Sequence, residues 1–194
     1  MHRTALLASM LLLSASAAPA AAQDRTLAWQ VAAAVLPLPD SMRAGAEVLG
    51  YKTAGGPLVQ IRAGSNGMIC LTDDPAIEGY AAHCYQKSLA AFMQRGRELR
   101  AAGITKPSAV DSARLAEINA GTLKMPMGGA ALYSLYADTL NFDPAAGRPK
   151  NASKLLSFYL PYATQASTGI SEMPLNDQPW LMKAGKPWAH LMIQ

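Results

Sequence analysis

The only two cysteines of the 194-residue chain, Cys70 and Cys84, flank the stretch most crowded with turn-forming residues. The first lies within Asn66-Gly67-Met68-Ile69-Cys70-Leu71-Thr72-Asp73-Asp74-Pro75 and the second within Ala81-Ala82-His83-Cys84-Tyr85. Asn-Gly tolerates the positive φ of a two-residue type I′ turn, which predicts a hairpin with one strand ending near Arg62 and the next beginning at Met68. Asp73-Asp74-Pro75 ends that second strand, because proline removes a backbone donor and aspartates favour turns. If the chain returns antiparallel through Cys84, the two thiols meet at bridging distance. The short loop so closed is worth about 3 kcal/mol in the chain-entropy treatment of disulfides.

Whether the thiols oxidise depends on compartment. His2 and Arg3, the apolar run Ala5 to Leu13 and the small residues Ala20-Ala21-Ala22 read together as a cleavable secretory signal over residues 1–22. Residues 23–194 then form a single domain, delivered to the periplasm or secreted. In an oxidising compartment, two cysteines with none left over indicate a structural Cys70–Cys84 disulfide, and their spacing is too wide for C-x-x-C chemistry. After the signal no stretch has the apolar length of a membrane span. The net charge of +4 is mild and its basic residues are scattered, which argues against a nucleic-acid partner.

Alternation and turn residues predict strands at 47–51, 58–62, 68–72 and 82–85, arranged as an antiparallel meander. A short helix is expected from Asp24, with Leu27, Val31 and Val35 on its buried stripe, followed by a single turn at 41–43. Two longer helices are expected at about 88–102 and 108–120. The first is capped by Ser88 and the second by a Ser108-x-x-Asp111 box, with Leu115 and Ile118 toward the sheet. Arg95, Arg97 and Arg100 fall on the solvated side, where they complement the helix dipole. Further strands at 132–136, 155–160, 179–182 and 188–193 surround a polar loop at 164–178, of the kind in which function collects. The fold class expected is α+β: one domain, a mostly antiparallel sheet, and the two long helices packed on one face.

Asn66-Gly-Met-Ile-Cys-Leu-Thr-Asp-Asp-Pro75, the later Cys84, and the ending Pro179-Trp-Leu-Met-Lys-Ala-Gly-Lys-Pro-Trp-Ala-His-Leu-Met192 resemble a loose group of exported bacterial proteins of unknown activity. The resemblance implies export and paired cysteines, and it carries no catalytic residue across.

Three chemistries are open to these side chains. The reading preferred is a non-enzymatic ligand-binding or interaction domain that needs no cofactor. Trp188, His190, Trp180 and Tyr133 would line an apolar pocket with polar tips for a small molecule or protein partner. The alternative is copper: alternation puts Trp188, His190 and Met192 on one strand face, imidazole and thioether are soft donors, and His83 would add a ligand. The His-x-Met pair at 190–192 resembles that of periplasmic copper chaperones. The third reading is a hydrolase, with His83 or His190 serving Ser157, Ser167 or Thr168, oriented by Asp73, Asp74 or Asp177. No G-x-S-x-G elbow supports it, which puts binding ahead of catalysis.

Overall fold

The structure, a computed structural model, describes residues 25–138, 141–175 and 177–194. The signal-like segment 1–22 lies outside the described residues.

The chain begins with α1 (Leu27–Ala34) and the single turn α2 (Asp40–Arg43), then lays down β1 (Glu47–Tyr51), β2 (Leu58–Arg62), β3 (Met68–Thr72) and β4 (Tyr80–Gln86). A 3₁₀ turn (Lys87–Leu89) leads into α3 (Ala90–Ala101) and α4 (Pro107–Asn119). After these come β5 (Ala130–Ala137), β6 (Ser153–Tyr159), the short α5 (Gln165–Thr168), β7 (Trp180–Met182) and β8 (His190–Ile193). Among the described residues these eight strands form one sheet in the order β2-β1-β3-β4-β5-β6-β8-β7. Every pairing is antiparallel except β1 with β3. The fold is therefore single-domain α+β with a mostly antiparallel sheet, as expected. Among the described residues no helix is long and apolar enough to cross a membrane.

The first four strands are not the predicted meander. β2 and β3 do not pair; they lie on opposite sides of β1, and Asn66-Gly67 is a crossover rather than a hairpin turn. The reason is a set of contacts distant in sequence. Ser65 and Asn66 donate their N–H groups to Gly45 O at 2.7 and 3.1 Å, and Asn66 Nδ2 donates to Met42 O. Asn66 Oδ1 accepts from Met68 N, an Asx turn that launches β3, and only Gly67 takes positive φ, +76°. The loop passes so close to the start of β1 that a Cβ on Gly64 would lie 2.2 Å from Glu47 N.

The helices also depart locally from expectation. α1 is capped by Thr26, whose Oγ1 accepts from Trp29 N; of the expected stripe Val31 is partly buried and Val35, just past the helix, is buried, but Leu27 is 43% exposed and the helix also buries Gln30, Ala33 and Ala34. The Ser108–Asp111 capping box does not form, because the helix starts one residue earlier with Pro107 in its first turn. Asp111 instead accepts from Lys183 Nζ at 2.8 Å, tying α4 to the turn between β7 and β8.

Directly paired residues share a face of the sheet, so the register defines two surfaces. Val48, Cys70, Cys84 and Tyr133 follow one another across β1, β3, β4 and β5 on one face. Leu49, Leu71, His83 and Ser134 do so on the other. α1 and the turn after it cover the first face, with Ala34, Val35 and Leu38 over Val48, Met68 and the two cysteines. Cys70 and Cys84 are cross-strand partners with Cα atoms 4.0 Å apart, and they form the predicted disulfide. α3 and α4 pack on the second face, where Leu89 and Phe92 meet Ile69, Tyr85, Tyr159 and Trp188, and Leu115 and Ile118 join from α4.

Candidate ligand cleft

α3 presents Phe92, Met93, Gly96, Arg97 and Arg100 along one side, since residues three and four apart stack on a helix. Beneath them a cleft of about 530 Å³ opens between the helices and the sheet. Its sheet side carries Leu71, Asp73, His83, Leu132 and Tyr159, and its helix side carries Phe92, Arg97, Arg100 and Arg114. The walls thus combine aromatic and aliphatic surface with three guanidinium groups.

Arg114 is the unusual member. It projects from α4 and is only 8% exposed, with its guanidinium carbon 3.9 Å from the centroid of the Phe92 ring. Gly96 makes the approach possible, because a Cβ there would lie 1.6 Å from Arg114 Nη2. Arg114 Nε is buried without a hydrogen-bond partner among the described residues. Among the described residues no carboxylate lies within ion-pair distance of Arg97, Arg100 or Arg114. Arg97 reaches the Tyr85 hydroxyl at 3.5 Å, and Arg100 donates to Gly96 O within its own helix. The neighbouring Arg95 behaves differently, pairing with Glu117 at 2.7 Å and Glu98 at 3.2 Å on the outer surface. Burial, reinforced by the charge of Arg100, lowers the pKa of Arg114 below the usual arginine value. Burial raises the Tyr159 phenol to about 12, with Arg114 opposing the shift.

At the sheet end of the cleft, Asp73 and His83 face one another electrostatically. Burial raises the Asp73 carboxyl above its ordinary range, opposed by His83 and Arg25. Burial likewise lowers His83, opposed by Asp73. His83 Nδ1 and Ser134 Oγ share a hydrogen bond of 3.0 Å, but Ser134 is only 4% exposed and does not line the cleft. The two adjacent aspartates divide their work: Asp73 borders the cleft, while Asp74 accepts from Gly55 N and Ala76 N and fixes the loops beside it.

The residues singled out in the sequence do not converge. Tyr133 packs on the disulfide face, across the sheet from the other three members of its proposed quartet. Trp188 precedes β8 and is 5% exposed, its ring stacked on Phe92 at 5.8 Å, so it is core. Trp180 pairs with Met192 across β7 and β8, and His190 stacks on Tyr159 at 4.9 Å. His83 and His190 share a face, but β5 and β6 separate their strands. That spacing is about 14 Å, so His83, His190 and Met192 do not surround one ion. The hydrolase set is likewise dispersed. Ser157 Oγ donates to Met192 Sδ, Ser167 bonds Thr164 at the start of α5, and His190 Nδ1 donates to Trp188 O.

What the sequence reading missed is the arginine cluster. Arg100 is exposed, as expected, and Arg97 is half-buried, but both border the cleft in which Arg114 is enclosed. A signal was present in Arg114, which stands four residues from both Val110 and Ile118 and so interrupts the apolar stripe of its helix. A mid-helix glycine on the facing helix was the second. Comparisons of the chain with protein-family models, with curated proteins and with solved structures return no match.

Proposed function

We propose that this is an exported, non-enzymatic domain that binds a small organic acid in the cleft between α3, α4 and the sheet. The anionic group, a carboxylate, sulfonate or phosphate, is held by Arg97, Arg100 and Arg114, and a flat apolar body lies against Phe92, Leu132 and Tyr159. The observation that carries this reading is Arg114, a buried cation whose Nε has no partner. A desolvated charge without a counter-ion costs several kcal/mol, which an incoming anion offsets through charge-assisted hydrogen bonds. Arg97 and Arg100 add a field of the same sign from more accessible positions. The disulfide suits an oxidising compartment, and protein recovered from the periplasm is expected to start near Gln23 by intact mass.

The test uses two dyes of similar shape, the anionic 8-anilinonaphthalene-1-sulfonate and the uncharged N-phenyl-1-naphthylamine. One anionic dye per chain is expected to bind, more weakly as salt is raised. Arg97→Gln and Arg100→Gln should each weaken it by about tenfold, the scale of one hydrogen bond to a charged group. Equal binding of the uncharged dye, with both variants unchanged, overturns the proposal.

A further inference from the structure

A second group of side chains lies on the same sheet face but at its far edge. Met182 pairs directly with His190, and Trp180 pairs directly with Met192. Because residues two apart on a strand share a face, these four side chains form a two-by-two patch across β7 and β8. All four are partly exposed. Cβ atoms of the directly opposed Met182 and His190 are about 5 Å apart and Met192 stands about 7 Å from each, within reach of two long thioethers and an imidazole converging on one small ion.

The imidazole is already oriented for such a task. His190 Nδ1 donates to Trp188 O at 2.8 Å, which fixes the tautomer and leaves Nε2 with its lone pair. Tyr159 stacks on the ring from the neighbouring strand β6 and holds its plane. A ring N–H given to a backbone carbonyl is the common support of a metal-bound histidine. Met192 Sδ accepts from Ser157 Oγ at 3.3 Å, which holds the thioether in place and leaves a second lone pair on the sulfur. Lys183 and Asp111, the charged groups nearest the patch, neutralise one another in the 2.8 Å ion pair.

We infer that Met182, His190 and Met192 bind one soft monovalent cation, copper(I), with the Trp180 indole over the ion. Two thioethers and one neutral imidazole suit copper(I) rather than copper(II), which prefers planar nitrogen and oxygen donors. The electron-rich face of Trp180 adds a cation–π contact and shields the ion from water. The two sites meet at Tyr159, but none of the proposed copper ligands lies among the arginines of the cleft, and the copper site does not rest on the acid-binding reading.

The experiment is anaerobic competition for copper(I) against bicinchoninate using the full purified chain, with silver(I) as a redox-inert probe in parallel. One copper(I) per chain is expected. Met182→Leu and His190→Ala should each weaken binding by about tenfold or more, the cost of losing even a supporting group. His83→Ala should leave it unchanged. Silver(I) should quench tryptophan fluorescence, and Trp180→Phe should remove most of that quenching while copper(I) still binds. Met182→Leu preserves shape and apolarity, so its effect reads the sulfur rather than the fold. Failure of the wild-type chain to compete for copper(I), or equal binding by Met182→Leu, refutes the site.

Discussion

Around the disulfide face, arginines close the structure: Arg43 donates to Leu38 O and Leu36 O, Arg62 to Ala46 O and Arg43 O, and Arg148 to Leu36 O and Leu38 O. Gln30, fully buried, gives Nε2 to Tyr51 O and receives Tyr51 N on Oε1, completing the end of β1. Across the sheet, Arg97, Arg100 and Arg114 line a cleft, and Arg114 is buried there with its Nε unused. One residue type therefore serves opposite ends on the two faces. A guanidinium that satisfies carbonyls contributes stability, whereas one buried without a counter-ion in contact and with its Nε unbonded lowers stability and keeps its capacity for a ligand.

The contrast can be broken most forcefully on the closed face. Replacing both cysteines with alanine should lower unfolding free energy by about 3 kcal/mol, measured as the shift in urea midpoint. Anionic-dye binding at low denaturant should persist, because the cleft is built from the opposite face. Loss of both together would mean that the faces are not separable.

A smaller effect sharpens the contrast from the open face. Glycine to alanine inside a helix ordinarily stabilises by about 0.5–1 kcal/mol. Gly96→Ala should instead destabilise by about 1 kcal/mol, the low end of the overpacking range, because the new methyl displaces the guanidinium end of Arg114 from its place over Phe92. Adding Arg114→Ala should remove most of that penalty, so a double-mutant cycle of thermal unfolding reads the coupling directly.

Acid titration gives the smallest effect. Burial lowers both His83 and His190, so the unfolded chain takes up protons more readily than the folded one. Their contribution is present above the ordinary histidine value near 6.5 and is lost as pH falls through the lowered folded values. Asp73 works in the opposite sense: its raised folded value favours the folded state as pH falls through the carboxylate range. Melting temperature should therefore drop on acidification below about pH 6.5. His83→Gln should flatten that slope, and an unchanged slope would show that His83 is not the buried neutral group described.

Where local pattern decided the outcome, the sequence was legible. The strands 47–51, 58–62 and 68–72 fall on the residues where alternation placed them, and the cysteines meet because β3 and β4 are joined by a short antiparallel return. Asn66-Gly67 misled because its hydrogen bonds go to Met42 and Gly45, partners that no local window contains. The Ser108–Asp111 signal failed because the helix starts ahead of it at Pro107, which leaves Ser108 inside the helix and Asp111 free to pair with Lys183 from the far end of the sequence. The cleft was illegible because the side of α3 that carries Arg97 and Arg100 is solvated or enclosed according to how α4 packs beside it. Tyr133 and Trp180 were grouped by residue type, and only the register shows them on opposite faces.

Arg114→Met tests the central claim most directly, because it exchanges the buried cation for an apolar side chain of similar reach. Measured side by side, unfolding free energy should hold or rise by about 1 kcal/mol, as when buried charges give way to packed apolar groups, while anionic-dye affinity falls by at least about tenfold. A loss of stability of about 2 kcal/mol or more with dye affinity unchanged would make Arg114 a structural prop, and would contradict its role as the anion's anchor.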